Sequence, residues 1–368
     1  MCNVKWVYFI SAVIIAVIMA GLLATNVKKK NTDITREKTK VAMIMNGSID
    51  DHSWGQSHYE GMQKTAKDLN LEVWFRQNIP ADKSSEDVME GLIGAGVKII
   101  VVNSFQFGPY IQNVAAQHPD VKFFHASGVK SAPNVSTFFG RIYQMRYLSG
   151  LVAGKQSKTG NVGYVAAFDI PEVVRGINAF TLGVKKANPD ANVIVRWTKS
   201  WEDDSSCAYA TRALLAKNDI DVLAMHTDSR EPMRIADSLG IWVVGYNLDN
   251  AEFYPDHFLT APVWRWEKFY TPHILEVLKK KFVGQSYWDG FSSGIVDLSP
   301  FTSHVNPEAV ALVAIEREKI QKGSFDVFYG PIEDNAGTVR VNEGESMSDS
   351  DMLNHFNWFV KGVKIDEE

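Results

Sequence analysis

Cysteine and positive charge are both scarce in this chain, and each shortage excludes a class of protein. Only two of its 368 residues are cysteines, so disulfides do not hold the fold together. Asp and Glu (43) outnumber Lys and Arg (38), and the first 40 residues hold seven of the basic side chains. Residues 41–368 therefore carry 31 basic and 41 acidic side chains, a net charge of −10. Such an acidic body argues against nucleic acid as a partner, because phosphate binding needs a basic surface.

The sequence also lacks the common signatures of catalysis. There is no Gly-x-Ser-x-Gly run, no glycine-rich loop after the first strand, and no pair of histidines at the spacing of a zinc site. Asp50-Asp51 resembles the acidic pair of a calcium-dependent nucleoside hydrolase, but matching acids at the other strand ends are missing. Glu202-Asp203-Asp204 is interpreted as the solvated start of a helix. We therefore predict no enzyme activity, no metal and no cofactor.

One long apolar run stands near the N-terminus, from Val7 to Ala24, between Lys5 and Lys28-Lys29-Lys30. A run of this length is typical of an export signal or a short membrane anchor. We therefore expect the rest of the chain to work outside the cytoplasm, in a periplasm or at a cell surface. The sequence leaves open whether residues 7–24 are cleaved, and the protein would be membrane-associated if they are retained.

After Lys40, apolar runs of strand length alternate with amphipathic stretches of helix length. Such alternation predicts parallel sheets covered by helices, and two βαβαβ sets predict two α/β domains. The predicted strands are Val41–Met45, Leu71–Arg76, Val97–Val102, Val121–His125, Val162–Ala166, Val193–Trp197, Val222–His226 and Trp242–Tyr246. The predicted helices are Trp54–Leu69, Ser84–Ala95, Tyr110–His118, Glu172–Ala187, Ser205–Lys217, Pro232–Leu239 and Glu267–Lys281.

Aromatic residues follow many of the predicted strands, where parallel sheets bind their ligands. One aromatic residue at a strand end is ordinary packing, but five at separate strand ends suggest flat surfaces that sandwich a planar molecule. The amide and carboxylate groups nearby could hydrogen-bond to the edge of a heterocycle. The aromatic residues are Trp54, Phe105, Phe168, Trp201 and Trp264, and the polar ones include Asp228, Asn247 and Asp249.

Several short runs resemble the basic membrane protein family of substrate-binding proteins of ABC transporters, which includes purine nucleoside receptors. The resemblance covers nearly the whole chain after Lys40 and implies a type I periplasmic-binding-protein fold, with two Rossmann-like lobes joined by a hinge. It also implies a small-molecule ligand and ABC permease subunits as partners. The runs that carry it are Asp51-His52-Ser53-Trp54-Gly55-Gln56-Ser57, Ser104-Phe105, Pro119–Phe123, Pro171–Phe180 and His226-Thr227-Asp228-Ser229.

The ligand is expected to be a purine base or nucleoside. The block Pro171–Phe180 is similar to that of a subgroup whose ligands are free bases such as adenine. Nucleoside-binding members have an acid and a lysine for the ribose hydroxyls where this chain has Asn247 and Trp264, which favours a ligand without a sugar. The predicted ligand-binding residues are Ser53, Trp54, Phe105, Phe168, Trp201, Asp228, Asn247 and Trp264.

Two strand sets that face one cleft require the chain to cross between lobes more than once. We predict that residues 41–137 and 261–300 form the first lobe, and residues 138–260 and 301–368 the second. The helix Glu267–Lys281 should pack on the first lobe. Two alternative functions use the same cleft: a membrane-anchored purine sensor that reports to a signalling partner, and a nucleoside hydrolase.

Overall fold

Two six-stranded sheets, each with all strands parallel, form the framework of the molecule. The computed structural model describes residues 38–367, so the apolar segment Val7–Ala24 lies outside the described residues. The first sheet has the order β12-β5-β4-β3-β1-β2. Its strands are β1 (Lys40–Ile44), β2 (Glu72–Arg76), β3 (Ile99–Val102), β4 (Lys122–Ala126), β5 (Val135–Gly140) and β12 (Ser286–Asp289).

The second sheet has the order β10-β9-β8-β6-β7-β16. Its strands are β6 (Asn161–Ala166), β7 (Asn192–Trp197), β8 (Val222–His226), β9 (Trp242–Val244), β10 (Phe258–Thr260) and β16 (Val363–Ile365). Two small antiparallel pairs complete the strands of residues 38–367: β11 (Pro262–Trp264) with β13 (Val296–Leu298), and β14 (Ile332–Glu333) with β15 (Val339–Val341).

Helices cover both sheets, which is why the central strands β3 and β8 are buried along their whole length and are apolar except for His226. The helices are α1 (Trp54–Leu69), α2 (Ser84–Gly94), α3 (Gly108–Gln117), α4 (Tyr143–Gln156), α5 (Pro171–Ala187), α6 (Asp204–Lys217), α7 (Glu231–Ser238), α8 (Glu267–Leu278) and α9 (Pro307–Gln321). Helices α4 and α5 lie so close together that a Cβ atom at Gly150 or Gly183 would collide with the backbone of the facing helix. Glycine at these two positions therefore permits the close packing. None of the helices within residues 38–367 is long and apolar enough to cross a membrane.

The chain returns to the first sheet after building most of the second. Helix α8 packs on α1: Thr65 and Thr271 share a hydrogen bond of 2.9 Å, and Lys64 Nζ lies 2.8 Å from Glu267 Oε1. Strand β12 then pairs with β5, and β16 pairs with β7 at the far end of the chain. Strand β5 of the first sheet spans Val135–Gly140 and so includes the predicted lobe boundary at residues 137–138. The remaining lobe boundaries stay a proposal.

The fold class predicted from the sequence is confirmed, with two parallel-sheet α/β lobes. Most strands and helices occur within a few residues of their predicted positions. The elements that were not predicted include strands β5, β12 and β16 and helices α4 and α9. Helix α8 ends at Leu278, three residues before its predicted end.

Candidate functional site

The carboxyl ends of strands from both sheets face one cleft with a volume of about 780 Å³. From the first sheet, Asn103 follows β3 and Phe139 belongs to β5; from the second, Trp201 follows β7 and Asp228 follows β8. Strand ends of this kind are where parallel sheets bind ligands, because loops from several strands converge there. The volume is within the range of small-molecule sites.

Four of the eight predicted site residues line this cleft, and the other four do not. Trp54, Phe105, Trp201 and Asp228 are lining residues. The remaining four contact the lining residues directly and lie one layer behind the surface of the cleft. They are Ser53, Phe168, Asn247 and Trp264.

Trp54 is the first residue of α1, and its indole is held on two sides. Its Nε1 donates a hydrogen bond of 2.7 Å to the carbonyl oxygen of Asn103, which fixes the ring to the end of β3. Its ring also meets Trp264 edge to face, with ring centroids 5.7 Å apart. Trp264 is only 4% exposed and stacks on Trp266 with centroids 4.4 Å apart. The indole of Trp264 therefore packs behind Trp54 and is not among the residues that line the cleft.

Trp201 stands on the side of the cleft formed by the second sheet. Its carbonyl oxygen accepts hydrogen bonds from the backbone N–H groups of Asp228 (2.7 Å) and Ser229 (3.2 Å). Phe168 meets the Trp201 ring edge to face, with centroids 5.9 Å apart. These contacts tie the position of the Trp201 indole to that of the Asp228 carboxyl group.

Asp228 is the centre of a polar chain that joins the two sides of the cleft. Its Oδ1 accepts hydrogen bonds from Ser53 Oγ at 3.3 Å and from Asn247 Nδ2 at 2.9 Å. Asn247 Nδ2 also donates to Ser53 Oγ at 2.9 Å. The Nε1 of Trp264 can only donate, and it donates to Asn247 Oδ1 at 2.8 Å. Trp264 thereby fixes the orientation of the Asn247 amide, whose NH₂ group must point toward Asp228.

The pKa of the Asp228 carboxyl group lies well above its ordinary value. Burial is the main cause of the raised pKa, and the nearby carboxylates of Asp51 and Glu202 raise it further. The hydrogen bonds from Ser53 and Asn247 act in the opposite direction and lower it. Asp228 does not cap the following helix, since Ser229 Oγ accepts from the backbone N–H of Glu231 at 3.2 Å. The carboxyl group is therefore available to the cleft.

Neighbouring acids that suggested catalysis or metal binding have structural roles. Asp51 accepts the backbone N–H groups of Ser53 (2.8 Å), Gly55 (2.7 Å) and Gln56 (2.9 Å), so it caps the start of α1. Asp203 accepts the backbone N–H of Ser206 at 2.6 Å and caps α6, as the interpretation of that acidic run required. Among the described residues, no three metal-ligating side chains are placed to hold an ion.

A half-buried carboxyl group on α5, which was not predicted as part of the site, borders the cleft. Glu172 Oε1 lies 3.2 Å from His226 Nε2, and His226 Nδ1 lies 3.2 Å from the Tyr164 hydroxyl group. Burial lowers the pKa of His226 to about 4, helped by the charge of Arg146. His226 is therefore neutral at pH 7, with Nε2–H donating to Glu172 and Nδ1 accepting from Tyr164. Burial alone would raise the pKa of Glu172, but His226 and the nearby arginines hold it below its ordinary value.

Further lining residues were also missed, and only some had a signal in the sequence. Tyr246 stands in the run Gly245–Asn250, and Glu172 and Arg175 stand in the block Pro171–Phe180; both runs had been singled out. Phe139 and Trp288 lie on β5 and β12, for which no strand was predicted. Leu353 and Asn354 belong to a short turn of π-helix, Asp351–His355, that no sequence pattern marks.

Comparison with known proteins agrees with this architecture. Residues 38–327 match the family described as ABC transporter substrate-binding protein, PnrA-like, and residues 328–367 lie beyond the match. A solved structure of an ABC transporter solute-binding protein from Conexibacter woesei DSM 14684 has a TM-score of 0.67 and 23% identity. The alignment covers 78% of this chain and 98% of that one, which supports the same fold.

Two relatives extend over nearly the whole described chain. A purine-binding protein of Brucella abortus (strain 2308) is 36% identical over 330 residues, covering 89% of this chain and 93% of the relative. A protein of Haloferax volcanii named as an ABC transporter glucose-binding protein is 32% identical over 329 residues, covering 89% and 81%. These relatives are binding proteins and not enzymes, so the hydrolase interpretation has no support. The chain belongs to the PnrA-like basic membrane protein family of ABC transporter substrate-binding proteins.

Proposed function

We propose that this protein captures a purine base or nucleoside in the cleft and delivers it to an ABC permease. The observation that carries the proposal is the arrangement of two indoles, Trp54 and Trp201, on opposite sides of the cleft, with the Asp228 carboxyl group hydrogen-bonded across it. The purine-binding name of the Brucella relative supports the same ligand class.

The chemistry of these groups suits a flat, nitrogen-rich heterocycle. Stacking of a base on an aromatic side chain contributes about 1–3 kcal/mol per contact and does not depend on which base is bound. Asp228 can accept a hydrogen bond from a ring N–H or an exocyclic amine, and such a bond orients the ring in its plane. The aromatic residues thus supply affinity and Asp228 supplies discrimination.

The place of action follows from the family and from the N-terminal sequence. Substrate-binding proteins of importers collect their ligand on the outer side of the membrane, and the apolar run Val7–Ala24 is suited to export or anchoring. In our proposal the ligand-loaded protein then docks on permease subunits, and no covalent step occurs on the ligand.

A thermal-shift screen tests the ligand class. Adenine, hypoxanthine, guanine, adenosine, inosine and glucose are each added to the purified protein, and the same panel is run on Trp201→Ala. A ligand at 100 times its dissociation constant stabilises the folded state by about 2.7 kcal/mol. We expect at least one purine to raise the melting temperature of the wild type, with a smaller rise for the variant. Stabilisation by glucose and by no purine would refute the proposal.

A further inference from the structure

The C-terminal extension, residues 328–367, lies beyond the family match and is built firmly into the second sheet. Its strand β16 pairs with β7, and Asn178 of α5 holds its backbone. Asn178 Nδ2 donates to the carbonyl oxygen of Trp358 at 2.8 Å, and its Oδ1 accepts from the N–H of Val360 at 3.0 Å. The extension is thus an integral part of the domain.

One face of α5 directs the extension toward the cleft. Glu172, Arg175 and Asn178 are spaced by three residues and therefore share a helix face. Arg175 Nη1 donates to the carbonyl oxygen of Met352 at 2.6 Å, and Arg175 itself lines the cleft. The two residues after Met352, Leu353 and Asn354, are cleft-lining as well.

The extension is also bound on the side of the first sheet. Arg141 directly follows β5, and its backbone N–H donates to the carbonyl oxygen of Asp289 on β12 at 2.8 Å. Its guanidinium group makes two parallel hydrogen bonds to the Asp349 carboxylate, at 2.9 and 2.6 Å. The same guanidinium lies over the Trp288 ring, 4.0 Å from its centroid. Two contacts from a planar guanidinium fix geometry better than one, so Asp349 connects the extension with the first sheet.

The edges of the cleft carry apolar side chains that water still reaches. Leu353 of the extension is 40% exposed, and on the side of the first sheet Phe105 is 50% exposed and Val129 94% exposed. All three line the same cleft. Exposed apolar groups that converge on one concavity are typical of a surface that a ligand or a closing movement covers.

We infer that the C-terminal extension forms a third wall of the binding site, in which Leu353 contacts the ligand and Asp349 holds this wall to the first sheet. This inference rests on the proposed function. It makes Leu353 a determinant of affinity that the family match does not include. It also gives a role to the hydrogen bonds that Arg175 and Asn178 of α5 make with backbone groups of the extension.

Calorimetric titration of Leu353→Ala with adenine and adenosine tests the contact. Val339→Ala is the matched control, because Val339 lies in the same extension, is 50% exposed and does not line the cleft. If the exposed part of Leu353 becomes buried on the ligand, its loss should weaken binding about three- to eightfold. Because Leu353 is exposed, the variant should fold like the wild type. Asp349→Asn should release a fluorescent or radiolabelled purine faster than the wild type.

The outcomes separate this inference from the proposed function. If wild-type protein binds no purine, the proposed function is wrong, and the contact has no ligand to act on. If the wild type binds a purine while Leu353→Ala and Val339→Ala keep its affinity, the third wall is refuted and the function stands. An unchanged release rate in Asp349→Asn would refute the link to the first sheet.

Discussion

At the scale of single residues, Asp228 has the most informative environment. Its Oδ1 takes the hydrogen bonds from Ser53 and Asn247, and Trp264 fixes the amide of Asn247 from behind. The pKa of this buried carboxyl group is raised because keeping it ionised away from water costs free energy, unless a hydrogen-bond donor stabilises the charge. A ligand N–H would provide that compensation and would favour the ionised form. This is why we assign discrimination between ligands to Asp228 and not to the aromatic residues.

Asp228→Asn should change which purine binds best. In the variant, the new side-chain amide can keep its oxygen toward Asn247 Nδ2 and turn its NH₂ group to the cleft, where the carboxylate accepted before. Loss of the charged hydrogen bond should cost adenine about 1.5–3 kcal/mol, one to two decades in affinity. Hypoxanthine, with an oxygen in place of the amine, should lose less. Calorimetric titration of both bases measures the ratio, and Trp201→Ala is the comparison because it should weaken both bases alike. An unchanged ratio in Asp228→Asn would show that Asp228 does not orient the ligand.

His226 should make the protein less stable in mild acid. Its pKa is about 4 in the folded state, against an ordinary value near 6.5. Between these two pH values the side chain is therefore protonated in the unfolded chain and neutral in the folded one. Its contribution to stability is complete above about pH 6.5 and is lost as the pH falls toward 4. The full loss is about 3 kcal/mol, and buried His125 acts in the same direction.

Denaturant unfolding at a series of pH values measures this effect. His226→Gln should show a shallower decline of the unfolding free energy between pH 6.5 and 4 than the wild type. Exposed His355 supplies the control, because His355→Gln should keep the wild-type decline. If His226→Gln also keeps it, then the decline originates in other groups.

At the scale of elements, the sequence predicts a strand or helix best where all residues on one face have the same surroundings, either buried or exposed. Strand β8 is buried on both faces, and the predicted strand Val222–His226, with its apolar run Val222–Met225, coincides with the observed strand. Strand β5 was missed because Ser136 and Thr137 interrupt its apolar pattern, although both are buried. Their hydroxyl groups bond to the returning chain near β12, a partner almost 150 residues away. No local pattern reveals such a partner.

The same reason explains which of the predicted residues line the cleft. Trp54, Phe105, Trp201 and Asp228 follow strands with clear patterns, so their position at the cleft could be predicted. Trp264 was expected to face the ligand, but β11 pairs with β13 and stacks the indole on Trp266. Lining residues from β12 and from the C-terminal extension depend on long-range pairing, which a single sequence does not show.

Asn178 should be the main attachment of the extension to α5. Asn178→Ala leaves the carbonyl oxygen of Trp358 and the N–H of Val360 without their partner in a buried setting, which should cost about 2–4 kcal/mol of stability. Asn192→Ala is the matched control, since within residues 38–367 the Asn192 side chain donates only to the carbonyl oxygen of Asp190, two residues earlier, at 3.4 Å. Its loss should cost less than about 0.5 kcal/mol. Denaturant unfolding gives both values, and equal costs would mean that Asn178 has no special role.

At the scale of the whole molecule, hydrogen bonds already join the two sides of the cleft, while some apolar side chains of its lining stay exposed. Ser53 Oγ donates to Asp228 Oδ1, and Asn250 Nδ2 donates to the carbonyl oxygen of His52 at 3.3 Å. Phe105 and Leu353 remain exposed. A movement that brings the two sides together would bury these side chains around a ligand.

Ligand binding should therefore close the cleft, and small-angle scattering should detect the change. A folded domain of this length has a radius of gyration of about 20 Å, and a saturating purine should make it smaller. Closure can be driven only by contacts that are better in the closed state, and aromatic faces from both sides of the cleft provide them. Trp201→Ala removes one of those faces, so at a purine concentration that saturates both proteins it should close less than the wild type. Equal radii of gyration for the free and the saturated wild type would contradict closure, and the ligand would then enter a site that is already formed.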